Sequence, residues 1–102
     1  MVVATLIYAS KVFVRHETLD REAILEIKVW ELPNSKKFPD GIKYSMFCVD
    51  LETKEVLVGI DNHHPKGHHI HFGEFEEFYF FEGVEKLIDD FYMFARMRGY
   101  SV

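Results

Sequence analysis

Residues 22–32 read EAILEIKVWEL, and residues 84–99 read VEKLIDDFYMFARMRG. In the first stretch Ala23, Leu25, Ile27 and Val29 occupy every second position, with Glu26 and Lys28 between them and Trp30 ending the other face. A period of two describes a strand with one buried side. In the second stretch Val84, Leu87, Ile88, Phe91, Tyr92 and Ala95 recur at helical spacing, with Glu85, Lys86, Asp89 and Asp90 opposite. That is an amphipathic helix. Arg96 and Arg98 suit the negative end of its dipole, and Gly99 stands where such a helix stops.

Working outward, residues 2–15 are rich in β-branched and aromatic types and predict a long strand, bent or bulged near Ala9-Ser10 where alternation falters. Residues 16–21 form a polar turn, and the Pro, Gly and Asn content of residues 33–41 marks a loop. Residues 42–51 and 55–62 are two further strands, joined by a short turn and therefore antiparallel. In the second of these, Val56, Val58 and Ile60 share one face, and Leu57, Gly59 and Asp61 the other. A loop at 63–67 leads to an extended piece at 68–72. The expectation is α+β: an antiparallel sheet of four to five strands with one C-terminal helix packed on one face, forming a single domain over residues 1–102.

Composition narrows the function. Twelve Lys+Arg against 17 Asp+Glu give a net charge of −5, which argues against a general nucleic-acid coat protein and leaves room for a local basic site. One cysteine, Cys48, excludes an internal disulfide framework and a Cys-based zinc site, and reads as a small buried hydrophobe. No apolar run is long enough to span a membrane, and Met1-Val2-Val3 lacks the basic start of a signal peptide, so the expectation is a cytoplasmic protein without membrane contact. The absence of Gln and the scarcity of Asn are a faint thermophile signature. No Gly-rich phosphate loop, Gly-x-Ser-x-Gly elbow or His-Glu-x-x-His pattern occurs.

Five of the six histidines, His63, His64, His68, His69 and His71, crowd into DNHHPKGHHIH at residues 61–71. Imidazole can take and give a proton near neutrality, and it ligates transition metals. In an extended segment His69 and His71 project from one face, with Cα atoms roughly 6–7 Å apart, while His68 points the other way. The short loop before them brings Asp61 to the same pocket. Gly59 leaves room there, and Lys66 at the loop tip can meet an anion.

The stretch from Asp61 to Phe94 resembles the C-terminal signature of the TumE-like family of toxins from toxin–antitoxin modules. The matching residues are Ile60-Asp61-Asn62, Pro65-Lys66-Gly67-His68-His69-Ile70-His71, Glu77-Phe78-Tyr79-Phe80-Phe81 and Leu87-Ile88-Asp89-Asp90-Phe91. Val29-Trp30-Glu31-Leu32-Pro33 and Tyr44-Ser45 extend the likeness over most of the chain. His68 stands where the family often has Asp, and Ile70 where it often has Arg. The resemblance implies a toxin role and an antitoxin partner, usually a helix-turn-helix protein.

Three chemistries compete for the histidine segment. The first is metal-independent RNA cleavage. One of His69 and His71 takes the 2′-hydroxyl proton and the other protonates the leaving oxygen; Asp61 orients an imidazole and Lys66 stabilises the phosphorane. It needs no cofactor. The second is a divalent-metal site drawn from His63, His64, His69 and His71, with Asp61 as a further donor. The third is a non-catalytic interaction protein. Its surface would be the aromatic-acidic stretch, although most of Phe72, Phe75, Phe78, Tyr79, Phe80 and Phe81 are expected to fill the groove between helix and sheet. Trp30 and Tyr44 read as core or sheet-face residues, with a Tyr hydroxyl near His71 as a catalytic option. Free sheet edges and the aromatic load predict a homodimer.

Overall fold

The computed structural model describes residues 3–102, so the beginning of the first expected strand at residue 2 lies outside the described residues. Six strands follow one another in space as they do in sequence: β1 (Thr5–Arg15), β2 (Glu22–Glu31), β3 (Ile42–Asp50), β4 (Val56–Asp61), β5 (His69–Phe72) and β6 (Phe75–Phe78). Every neighbouring pair is antiparallel, and α1 (Val84–Met97) ends the chain of elements. The fold is α+β with a C-terminal helix on one face, as the two periods predict, but the sheet has six strands rather than four to five. The added strand is β6. All four of its residues are exposed, so no buried face imposes the alternation by which a strand is recognised.

The alternating residues of β2 are the centre of the core. Ala23, Leu25, Ile27 and Val29 are fully buried, and Leu25, Ile27 and Val29 pair in register with Cys48, Met46 and Tyr44 of β3. Met46 and Cys48 pair in turn with Ile60 and Val58 of β4. Leu87, Phe91 and Ala95, at four-residue steps on α1, close this face over β4. Burial also pushes the Cys48 thiol up to about 11, which leaves it protonated and unreactive at neutral pH. No helix is long and apolar enough to cross a membrane among the described residues.

Three sequence expectations need correction. The irregularity in β1 lies between Leu6 and Tyr8, not near Ala9-Ser10. β1 is an edge strand with almost every residue exposed, so its sequence alternation is weakly constrained and does not locate a bulge. A second register shift makes Leu57 the extra residue of β4: Val58 pairs with Cys48 and Val56 with Val49. Leu57 turns into the core at 4% exposure and Val56 turns out at 40%, so Val56 does not share the buried face of Val58 and Ile60. Of the aromatic run, Phe72 and Phe81 pack against the core and Tyr79 joins it, its hydroxyl donating to Asp90 at 2.6 Å. Phe75, Phe78 and Phe80 are 72–74% exposed and fill no groove.

The helix ends as its sequence predicts. Gly99 adopts φ +94, its N–H bonds the Arg96 carbonyl and the Tyr100 N–H reaches back to Ala95. These two bonds satisfy carbonyls that the last turn leaves free. The His16 ring packs where a Cβ at Gly99 would stand, and His16 and Tyr100 form a β-bridge that ties the chain's last residues to β1.

The β3–β4 turn is held by Asp50, whose Oδ1 accepts the Glu52 and Thr53 N–H groups at 2.9 Å each, with Arg21 3.7 Å from Oδ2. The Thr53 N–H first, then the Glu52 N–H, the Thr53 hydroxyl and the Arg21 charge, hold the carboxyl below its ordinary 3.8 against the burial that raises it. A depressed carboxyl contributes stability that is present above the ordinary value and is lost as pH falls through the folded one. The thermal midpoint should therefore drop on acidification from about pH 5 to about pH 3. Asp50→Asn should be less stable at neutral pH and flatter across that window. Parallel acid profiles of the two proteins would contradict this.

Candidate functional site

Strand parity decides which histidine faces what. The residues of β2 and β3 between the buried ones, Glu26, Lys28 and Trp30 with Lys43, Ser45 and Phe47, form the sheet face away from α1. Ser45 pairs with Asp61 and Phe47 with Gly59; Asp61 then pairs with His69, and Gly59 with His71. Asp61, His69 and His71 therefore share the open face, and Glu76 stands opposite His71 on β6.

The side chains converge. His69 Nε2 is 3.3 Å from Asp61 Oδ1, and the two imidazole rings meet edge to face with centroids 5.0 Å apart. One donor atom from each of Asp61, His69 and His71 lies within 4.8 Å of the others. His69 is 7% exposed, and Asp61 and His71 are half-buried. Asp61 Oδ1 also accepts the His63 backbone N–H at 3.0 Å, which holds the carboxylate in place.

Hydrogen bonding restricts the protons. A carbonyl only accepts, so His69 Nδ1 carries a hydrogen donated to the Gly67 oxygen at 2.8 Å. Nε2 then faces a carboxylate. That contact is attractive only if Nε2 is also protonated or if a cation lies between the two atoms. His71 Nδ1 is 3.9 Å from Glu76 Oε2, and Lys66 forms an ion pair with Glu76. The hydrogen bond from Lys66 first, then its charge and those of His71 and His69, hold the Glu76 carboxyl below its ordinary range, against desolvation. Lys66, His69 and Glu76 line one shallow cleft of ≈ 360 Å³. His63 and His64 lie in an exposed loop, and their rings are not part of the donor group.

His68 has a different role. It faces α1, stacked on Phe81 with centroids 4.9 Å apart and on Tyr44 at 5.6 Å. Its Nε2 is 2.8 Å from Asp40 Oδ2, and its Nδ1 is 2.8 Å from the Tyr44 hydroxyl. Nε2 donates its hydrogen to the acceptor-only carboxylate, and Nδ1 pairs with the phenol. His68 is thus fully paired and joins the 33–41 loop to the sheet. Burial first, and then nearby Tyr79, Asp61 and Asp40, push the Tyr44 phenol far above its ordinary range, which keeps it a donor and not a nucleophile. The tyrosine considered for a place beside His71 is thus bonded to His68, on the other face. Asp40 carries no sequence signal for its role, because its partner is 28 residues away. Buried Asn62 is structural as well. It accepts the Tyr44 N–H at 2.9 Å and donates to the Ile42 carbonyl at 2.7 Å, which fixes the start of β3 beside the end of β4.

A family model described as Toxin TumE matches residues 3–98. No curated protein and no solved structure matches the chain. The match spans both faces of the sheet, so it does not by itself separate the open-face group from the His68 group, but a substitution can. Tyr44→Phe removes one hydrogen bond and leaves His68 Nδ1 unpaired, a loss of about 1 kcal/mol that urea denaturation would read. Toxicity should be unchanged. Toxicity lost at near-native stability would move the functional site to the helix face.

Proposed function

The chain belongs to the TumE toxin family, and from that premise we propose that it is a toxin that cleaves RNA with His69 and His71 on the open sheet face. The observation that carries the reading is the convergence of two imidazoles and one carboxylate at one place on the sheet face away from α1. His69, held between the Gly67 carbonyl and the Asp61 carboxylate, is the proton donor. His71, more exposed and free of a close acceptor, is the base. In this reaction His71 removes the proton of a ribose 2′-hydroxyl, and the oxygen attacks the adjacent phosphorus. The bond from phosphorus to the 5′-oxygen breaks, and His69 supplies the proton that oxygen needs to leave. A 2′,3′-cyclic phosphate and a 5′-hydroxyl result. Lys66, released from Glu76, meets the charge on the phosphorane.

A second reading is favoured by one distance. The 3.3 Å between His69 Nε2 and Asp61 Oδ1 is about the separation of two ligands bound at 2.0–2.2 Å to a tetrahedral ion. The Nδ1–H bond to a backbone carbonyl is the outer contact metal-bound histidines use. In that reading a divalent cation sits among Asp61, His69 and His71.

The partner is an antitoxin, in our reading a helix-turn-helix protein that takes the exposed Phe75, Phe78 and Phe80 with the acidic residues between them. The free edge of β1, with Leu6, Val12 and Phe13 exposed, supports a homodimer built by edge pairing. Light scattering of the protein without its partner should give twice the chain mass of 12.1 kDa. A 12.1 kDa species at micromolar concentration removes the dimer.

Alanine at both His69 and His71 should abolish growth arrest and lower RNA cleavage by about 10²–10⁴-fold or more, while circular dichroism stays native. Activity insensitive to chelator and falling at both acid and alkaline pH fits the paired histidines. Loss with chelator, and on the acid side alone, fits the cation. Full toxicity of the double variant would remove both and leave the aromatic-acidic surface.

A further inference from the structure

Asp61 is a wall of two sites. On one side it holds His69. On the other it borders a cleft of ≈ 300 Å³ lined by Trp30, Lys43, Ser45, Phe47 and His63. That volume is at the small end of the range for ligand pockets. We propose that this cleft seats a nucleobase of single-stranded RNA next to the phosphate handled at His69 and His71. The inference rests on the RNA-cleaving reading and adds where the substrate is gripped.

Three features of the open face fit such an occupant. The first is aromatic. Trp30 and Phe47 are both half-buried at the cleft. The Phe47 ring closes over Gly59, whose missing Cβ would stand 2.9 Å from Cε1 and 3.0 Å from Cδ1. Gly59 therefore lets a large ring lie between the cleft and His71, its partner across the β4–β5 ladder. Any base can stack on an aromatic surface, so such a seat tolerates sequence.

The second feature is cationic. Lys43 Nζ lies 5.4 Å from the Trp30 ring centre and 5.9 Å from that of Phe38. The indole thus already has a cation near its face. An entering base takes the ring face, and the ammonium moves to the neighbouring phosphate.

The third is the distribution of charge. Lys28 lies beside Ser45, and Lys11 beside Glu26, so Lys11, Lys28 and Lys43 all stand on this face, together with the acids Glu22, Glu26, Asp61 and Glu76. Glu85, Asp89 and Asp90 are instead carried by α1, across the sheet. In a chain of net charge −5, Lys28 and Lys43 are cations of this face that can meet the phosphates on either side of a base in the cleft.

Trp30 is the chain's one tryptophan, so its emission reports on the cleft directly. The probe is a short single-stranded oligodeoxyribonucleotide, which stacks like RNA but lacks the 2′-hydroxyl and survives the enzyme. Titration should quench Trp30 saturably, and added salt should weaken the binding. Lys43→Ala, which keeps the reporter, should weaken binding several-fold and lower the salt dependence by about one counterion. Trp30→Ala, followed by anisotropy of a labelled probe, should weaken it roughly 10–100-fold. Lys86→Ala, on the helix, should bind as the parent does.

The outcomes separate the two readings. Quenching without cleavage of the matching RNA keeps the cleft and removes the nuclease. RNA cleavage with no Trp30 quenching, and with unchanged KM in both Lys43→Ala and Trp30→Ala, removes the cleft and keeps the nuclease. Failure to bind either oligonucleotide removes both.

Discussion

A single 14-residue helix has to cover one face of a six-stranded sheet. It does so by placing Leu87, Phe91 and Ala95 against the strip formed by β2, β3 and β4, and Tyr79 and Tyr100 join the same core. Among the described residues no second helix covers the opposite face. That face carries lysines, a tryptophan, a phenylalanine on a glycine, a carboxylate and two imidazoles. The side that carries Asp61, His69 and His71 is the side that the helix does not reach. The same economy explains β1, which lies beyond the helix and exposes apolar side chains on both its faces.

The pleat of β5 divides the histidine segment into two kinds of residue. His68 points to the helix face, where a phenol and a carboxylate satisfy both its nitrogens and two aromatic rings enclose it. Its neighbour His69 points the other way. There one nitrogen is satisfied by Gly67, and the other is left against a carboxylate in a geometry that calls for a proton or an ion. Two adjacent residues of the same type thus serve opposite ends. One is saturated and holds a loop; the other keeps a nitrogen against a carboxylate, free to take a proton or an ion.

Where a buried face imposed a rhythm, the sequence could be read. Ala23 to Val29 and Val84 to Ala95 carried their periods because every second or every third-to-fourth side chain had to be apolar. The shared face of His69 and His71 followed from the same parity. The unread parts lack that pressure. Phe75 to Phe78 is a strand without a buried side. Leu57 enters the core through an inserted residue that shifts the phase of β4, and no local preference announces it. Asp40 meets His68, and Phe47 covers Gly59, only because strands distant in sequence lie side by side. The exposure of Phe75, Phe78 and Phe80 ran against the usual fate of phenylalanine, because β6 is an edge strand with no buried face and Phe80 lies just beyond it.

The alternation of β5 has a consequence for how such a protein can change over generations. Point substitutions at His68, His69 or His71 each touch one face and leave the other intact. A slip of β5 by one position against β4 is another matter. It would carry both open-face imidazoles under the helix, expose the aromatic partners of His68 and undo the pairing of Asp61 in one step. The four-residue strand therefore behaves like a reading frame. Lineages can rewrite its letters one at a time, but shifts in phase are closed to them, and diversity in relatives should accumulate as replacements here and as length variation only in the flanking loops.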